Sequence, residues 1–549
     1  MLPSGHVDSF ARDNLPPADQ WPDLVFDRAP GLLYPDRLNA AVEFVDRWVE
    51  RGHGGRIALK SSESNWSYAL LAERIDRIAR VLVDDMGFVP GNRVLLRGPN
   101  NPMMAACCLA VWKAGGIAVN TMPLLRAREL AYIIDKARIR LALCDARFRD
   151  DLEAARVQST VLGRVVPFRA ADAAGSLEAL MAARPAGFQA CDTSADDVAL
   201  IAFTSGTTGP AKGTMHFHRD LLAICDTTPR HVIMPSVDDV FIGSPPFAFT
   251  FGLGVNLLFP LRMGAAAALV EQPSPPNLLA AIAQHRATIM STAPTAYRAM
   301  LDLLPGADIA SLRKCVSAGE HLPLATFQAW KKATGISIID GIGATEMLHI
   351  FIAAAGADIR PGSTGKVVPG YEARVVDGNG HEMPPGQIGR LAVRGPTGCR
   401  YLADDRQKAY VKDGWNFTGD AYARDADGYF WYAARTDDMI VSAGYNISGP
   451  EVENVLLDHP KVKECGVVAA PDDERGAIVK AYVVLRDAAD ATPATVKELQ
   501  DFAKREIAPY KYPRAVEFVT SLPRTETGKL QRFKLRQMAT QSKPTESKQ

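Results

Sequence analysis

Residues 204–213 read Thr-Ser-Gly-Thr-Thr-Gly-Pro-Ala-Lys-Gly. They follow residues 198–203 (VALIAF), an unbroken apolar run that reads as a buried strand. The glycines permit tight turns and close backbone approach. Hydroxyls and successive N–H groups can wrap an anion, and Lys212 adds charge. A strand feeding such a loop makes a polyphosphate site. Two other phosphate motifs are excluded. A Walker A loop needs a second Gly where Ala211 stands, and a hydroxyl residue where Gly213 stands. A dinucleotide fingerprint fails at residues 341–346 (GIGATE), where Glu346 replaces the third Gly.

Outward from the loop, apolar helical stretches alternate with β-rich runs. Runs at 93–96 (RVLL), 116–119 (GIAV) and 140–144 flank a helix-like stretch at 103–113. Runs at 288–291 and 314–317 repeat the theme. Such alternation predicts parallel sheets covered by helices. After about Arg360 the texture changes to short β runs (373–376, 388–393) between turns such as Asp377-Gly378-Asn379-Gly380. That pattern predicts a small antiparallel barrel or sheet. After Arg435 two strands (462–469, 478–485) precede a helix with Thr492 as N-cap and Pro493 as first residue. Val496, Leu499, Phe502, Ala503 and Ile507 mark one face of that helix, and the polar tail after about Gln537 is expected to be disordered. The fold class is therefore α/β, with a large N-terminal domain of α/β subdomains plus a small β-barrel, and a small mobile α+β C-terminal domain.

The chain has 549 residues, too many for one hydrophobic core. Charge is balanced, with 62 Lys+Arg against 62 Asp+Glu, which argues against nucleic acid as a partner. Eight Cys are scattered without zinc or redox spacing, as buried thiols in a reducing cytoplasm would be. Residues 1–17 have no apolar signal-peptide core, and neither 103–112 nor 264–270 reaches the ~20 residues of a membrane span.

TSGTTGPAKG resembles the signature of the adenylate-forming superfamily, which includes acyl-CoA synthetases, nonribosomal-peptide adenylation domains and luciferases. The resemblance runs from Trp66 to Lys529, with further motifs in the family's order. It implies that Thr204, Ser205, Gly206, Thr207, Thr208 and Lys212 hold phosphate. Ser317-Ala318-Gly319-Glu320 resembles the segment that lines the adenine, so Ala318, Gly319 and Glu320 join the nucleotide site. Asp340-Gly341-Ile342-Gly343-Ala344-Thr345-Glu346 implies a nucleotide-binding role for Asp340 and Gly341, a phosphate contact for Thr345 and Mg²⁺ for Glu346. Phe417-Thr418-Gly419-Asp420 implies that Asp420 takes the ribose hydroxyls, with Arg435 beside it. Family members usually have Gly where this chain has Ala434. Residues 1–434 would form the N-terminal domain, 435–440 the hinge with Asp437 as its pivot, and 441–549 the lid. Gly444 and Tyr445 would line the coenzyme A channel. Lys529, in Pro523-Arg524-Thr525-Glu526-Thr527-Gly528-Lys529, would bridge the acid and the α-phosphate. ATP, Mg²⁺ and coenzyme A are the implied cofactors, and a homodimer the implied assembly.

Residues 346–351 (EMLHIF) and 249–254 (FTFGLG) look like the pocket of benzoate-CoA ligases. Those enzymes usually have Ala and Tyr where this chain has Thr250 and Phe251, which favours a substituted benzoate. The run from Leu2 to Pro17 looks like 2-aminobenzoate-CoA ligases, so 2-aminobenzoate leads. Phe247, Thr250, Phe251, Gly343, His349 and Ile350 are the candidate pocket residues. An enzyme loading an aryl acid onto a carrier protein, a benzoate or hydroxybenzoate ligase, and a luciferase-like monooxygenase remain alternatives. A non-catalytic relative would be expected to have lost Lys529 or Glu346.

Overall fold

Runs that are apolar on every side need partners on every side. The computed structural model, which describes residues 2–170, 173–204, 210–436, 438–442, 445–472, 475–525 and 530–541, meets this need with sheets layered under helices. A six-stranded sheet runs in the order Arg164–Phe168, Leu141–Asp145, Arg93–Arg97, Ile117–Thr121, Val198–Phe203, Gly213–Phe217. Its first five strands are parallel. Val198–Phe203 then pairs antiparallel with Gly213–Phe217, with Phe203 opposite Gly213, so these two strands form a hairpin.

Helix Pro102–Lys113 is buried along its whole length. Asn101 caps it by accepting the Met104 N–H at 2.9 Å, and Pro102 supplies a preset first turn. Lys113 at its end is neutralised by Asp46 Oδ2 at 2.8 Å and Asp76 Oδ1 at 2.5 Å. The apolar stretch is therefore core, and among the described residues no helix is long and apolar enough to cross a membrane. Seven of the eight thiols are buried, and Cys191 is partly so.

A nine-stranded sheet has a parallel centre that includes Val240–Gly243, Ile289–Thr292, Lys314–Ser317 and Ile338–Gly343. Ser317, the last residue of its strand, lies opposite Asp340, where the pairing between the last two of these strands ends. Ligands bind outside the carboxyl ends of such strands.

The antiparallel unit expected after Arg360 is a five-stranded sheet. That is the small antiparallel barrel or sheet expected there, and its strands pair as an open path. Trp415–Arg424 gives one edge to Ile388–Arg394 and splits the other between Val411–Lys412 and Phe430–Arg435. The C-terminal part pairs Val462–Asp472, Gly476–Leu485 and Ala515–Phe518. Thr492 caps helix Pro493–Glu506 as expected. Ile507 is not on that helix; its backbone is extended, because the turn at Pro509 follows. Nor is the chain irregular from Gln537: helix Arg532–Gln541 continues past it, since Leu535 and Ala539 bury themselves against the sheet.

One ion pair ties the hairpin to distant chain. Arg400 and Asp220 are both fully buried and directly paired. Asp220 Oδ2 also accepts the Phe217 N–H at 2.9 Å at the start of helix His218–Thr228. Burial is the largest influence on the Asp220 carboxyl and works to raise it, but the Arg400 charge, together with His216 and Arg219, holds it below its usual range. Removing one partner of a buried pair strands the other charge. Asp220→Ala is expected to cost ~3–5 kcal/mol of stability in chemical denaturation. A loss near zero would mean that water reaches Arg400.

Candidate active site

The base of the hairpin loop is closed by the Thr204 N–H, which donates to the Lys212 carbonyl at 3.0 Å. Lys212 leaves this base half-buried. Its Nζ lies 2.6 Å from Tyr401 Oη and 3.3 Å from Glu346 Oε1. Tyr401 Oη in turn donates to the same Glu346 oxygen in a short contact. The loop's lysine and the predicted metal carboxylate therefore meet, 134 positions apart in sequence.

Glu346 reaches this point because strand Ile338–Gly343 runs into a single 3₁₀ turn, Thr345–Met347. Leu348 then takes a φ of +67°, in the left-handed region. A leucine there costs ~1–3 kcal/mol and persists only under pressure from its surroundings. The kink turns the chain back, and Ile350–Ala353 pairs antiparallel with Ile338–Gly343. His216, on the hairpin and fully buried, places Nε2 2.8 Å from the Thr345 carbonyl. A carbonyl only accepts, so this nitrogen carries the proton.

Asp340 stands where its strand's pairing with Lys314–Ser317 ends, with Oδ1 sealed from solvent and unpartnered among the described residues. Burial pushes its carboxyl up to about 8. A protonated carboxyl both donates and accepts, which suits the edge of a heterocyclic base. Ser317 Oγ and Thr204 Oγ1 are also buried and unpartnered among the described residues. Ala318 is buried, and Gly319 adopts a φ of +89° past the neighbouring strand, leaving Glu320 half-buried. Asp420 and Arg435 are register partners on adjacent strands, and Arg435 Nη1 donates to Asp420 Oδ1 at 3.1 Å. Ala434 is buried within the same strand.

The pocket candidates divide. Phe251, Gly343 and His349 converge. The His349 ring lies 5.7 Å from Phe251 and 4.4 Å from Phe259. Its Nε2 is 3.4 Å from the Phe251 carbonyl, and Nδ1 has no partner among the described residues. Burial drives its pKa down to about 3, so the imidazole is neutral. A Cβ at Gly343 would sit 2.7 Å from the His349 carbonyl, and one at Gly254 would sit 2.3 Å from the His349 ring. Ile350 is buried, and its Cδ1 lies 2.9 Å from where a Cβ at Gly341 would stand. Thr250 opens the short helix Thr250–Leu253 and is buried. Phe247 sits in the main core, its backbone held by Asn100 at 2.8 Å and Asn120 at 3.2 Å. Ser205, Gly206, Thr207, Thr208, Asp437, Gly444 and Lys529 lie outside the described residues, and of Tyr445 only the backbone strand Tyr445–Ile447 is described.

Among the described residues no group of three or more His, Cys, Asp or Glu could hold a metal by itself. Glu346 alone fits Mg²⁺, which keeps several waters and takes one or two carboxylates together with substrate phosphates.

Residues 45–401 match the family described as AMP-binding enzyme, and residues 451–529 match the AMP-binding enzyme C-terminal domain. The chain belongs to the AMP-binding enzyme family. Benzoate–CoA ligase of Thauera aromatica is 34% identical over 518 residues, which cover 92% of this chain and 97% of that protein. 3-Hydroxybenzoate–CoA ligase of Aromatoleum sp. (strain CIB) is 30% identical over 508 residues, covering 91% and 97%. The crystal structure of the anthranilate CoA ligase AuaEII in complex with anthranoyl-AMP superposes with a TM-score of 0.87 at 34% identity, covering 92% of this chain and 98% of that one.

In this AMP-binding enzyme, two residues around Glu346 escaped sequence reasoning. Tyr401 sits in Thr397-Gly398-Cys399-Arg400-Tyr401, outside every motif, and His216 is one histidine of two in residues 214–219 (TMHFHR). Neither carries a local signal; only the folded contact reveals them. For Asp340 the sign is clear: protonated at neutral pH, it loses its donor as pH rises through about 8. ATP binding, measured by calorimetry, is expected to weaken above pH 8 in the native protein. Asp340→Asn should flatten that profile and Asp340→Ala should weaken binding at every pH.

Proposed function

We propose that the protein is an ATP-dependent aryl acid–CoA ligase that activates a substituted benzoate, 2-aminobenzoate first among them, as an acyl-adenylate and passes the acyl group to coenzyme A. The observation that carries this reading is the stretch 340–350. It sets Asp340, Thr345 and Glu346 beside Gly343, His349 and Ile350, so nucleotide-side and pocket-side groups share one turn. A carboxylate entering from the pocket side would arrive where phosphate is held.

Attack of a carboxylate on the α-phosphate brings two anions together, so charge must be neutralised as they meet. Lys212 supplies one cation to the phosphates. Glu346 would hold Mg²⁺, which when bound neutralises phosphate charge and leaves the pyrophosphate a better leaving group. His216, through the Thr345 carbonyl, keeps the turn that carries both residues in place. Asp420 and Arg435 would hold the ribose. Lys529 would complete the charge at the α-phosphate, and rotation about Asp437 would then replace it with the face that bears Gly444 and Tyr445. Withdrawing the lysine frees a channel for the thiol, which is why two half-reactions need a hinge.

The choice of 2-aminobenzoate starts from the run Leu2 to Pro17 and draws further support from the pocket candidates. His349 is neutral, with Nε2 facing a carbonyl; Nδ1 is then an acceptor without a partner among the described residues. An aromatic amine offers the matching N–H. The similarity to a ligase solved with anthranoyl-AMP supports the same substrate.

The test is acid-dependent pyrophosphate release with Mg-ATP and coenzyme A across benzoate, its 2-amino and hydroxy derivatives, cinnamates and short fatty acids. The expected result is strongest turnover and thioester formation with 2-aminobenzoate. His349→Ala is expected to reduce the preference for 2-aminobenzoate over benzoate about tenfold, the scale of one lost buried hydrogen bond. Release with fatty acids alone would reject the aryl pocket, and release without thioester would name a carrier protein as acceptor. Lys529→Ala is expected to slow adenylation by ~10²–10³ while sparing thioester formation from preformed acyl-AMP. Equal loss of both steps would reject the hinge reading.

A further inference from the structure

Tyr401 is 1% exposed, and contacts other than its hydroxyl hold its backbone and ring. Its N–H donates to Gln407 Oε1 at 2.9 Å, its backbone bridges Thr214 on the hairpin, and its ring packs edge-on against Tyr410 with centroids 5.8 Å apart. The hydroxyl then does two things. It accepts from Lys212 Nζ at 2.6 Å and donates to Glu346 Oε1. A phenol has one proton, and an ammonium can only donate. The direction of the chain is therefore fixed: Lys212 to Tyr401 to Glu346. Both cationic and phenolic donors converge on Oε1. No described residue bonds Oε2. Lys212 also lies over the Tyr401 ring, 4.6 Å from its centroid, a contact that does not involve the hydroxyl.

We infer that Tyr401 is a positioning residue for the metal-binding carboxylate. Its hydroxyl pins Oε1 of Glu346 and so presents Oε2 to the Mg²⁺ that accompanies ATP. It is a device for geometry, since a carboxylate on a short 3₁₀ turn has free rotation about its last bond unless one oxygen is anchored. A charge-assisted O–H···O⁻ bond is strong enough to do this. When phosphate draws Lys212 away, the phenol loses a donor but keeps its own bond to Glu346, so the anchor survives nucleotide binding.

The inference rests on the reading that Glu346 takes Mg²⁺, and the experiment separates the two. ATP binding to the full chain is titrated calorimetrically over a range of Mg²⁺ concentrations and in excess EDTA. The proteins are native, Tyr401→Phe, Glu346→Gln and the double variant. Tyr401→Phe is expected to raise the Mg²⁺ concentration that gives half of the metal-dependent gain in ATP affinity by about tenfold, the scale of one hydrogen bond to a charged group. Binding in EDTA should change far less, and the double variant should need no more Mg²⁺ than Glu346→Gln alone. An equal loss of ATP affinity with and without Mg²⁺ would overturn the inference, because Tyr401 would then act through Lys212 or the fold. Additive effects in the double variant would overturn it too. A native Mg²⁺ requirement in Glu346→Gln would remove the metal role of Glu346 itself, and this inference with it.

Discussion

Everything near the candidate site hangs on one buried ion pair. Arg400 and Asp220 have no solvent to share their charge with, so each must keep the other within reach. Asp220 opens the helix that follows the hairpin, and Arg400 belongs to a segment almost two hundred residues later. Backbone bonds reinforce the tie: the Met215 N–H donates to the Arg400 carbonyl at 2.8 Å, and the Leu402 N–H to the Gly213 carbonyl at 2.8 Å. The segment 400–402 thus lies along the hairpin edge, and Tyr401, between its two neighbours, has no choice but to face Lys212 and Glu346. A costly electrostatic commitment in the core becomes alignment at the surface of the site.

Local chemistry made much of this legible in advance. The buried strand, the hydroxyl- and glycine-rich loop and the lysine at its end are contiguous, so one window of sequence contains the whole device. The same holds for residues 340–346, where strand, turn and carboxylate follow one another. What could not be read were contacts made between windows. His216 and Tyr401 reach Thr345 and Glu346 across the fold, and no spacing encodes that. The sharing of one edge of Trp415–Arg424 between Val411–Lys412 and Phe430–Arg435 is a matter of strand length rather than of strand pattern. Ile507 satisfied a helical period and yet lies beyond the helix, because apolar spacing does not feel the proline-led turn that follows. The helix through Gln541 has polar residues on most of its surface, and Leu535 and Ala539, with Met538 beside them, bind it to the sheet.

Leu348 shows how the two halves of the site are kept together. Its left-handed backbone is unfavourable for a leucine, yet it lies between Glu346 and His349 and reverses the chain there. The side chain is wholly buried in the main core. Packing energy from the interior therefore holds a kink that no local preference would choose, and the kink keeps a charged residue and an aromatic one on opposite sides of the same turn.

Gly254 has a different kind of influence. It touches nothing through a side chain, yet a single carbon there would collide with the His349 ring. The imidazole is seated by the space that glycine leaves, by Phe259 against one face and by only a long contact to the Phe251 carbonyl. On the proposed reading, in which His349 lines the acyl pocket, a larger residue at 254 would displace the ring, and a position that never meets the acid would alter which acid is taken.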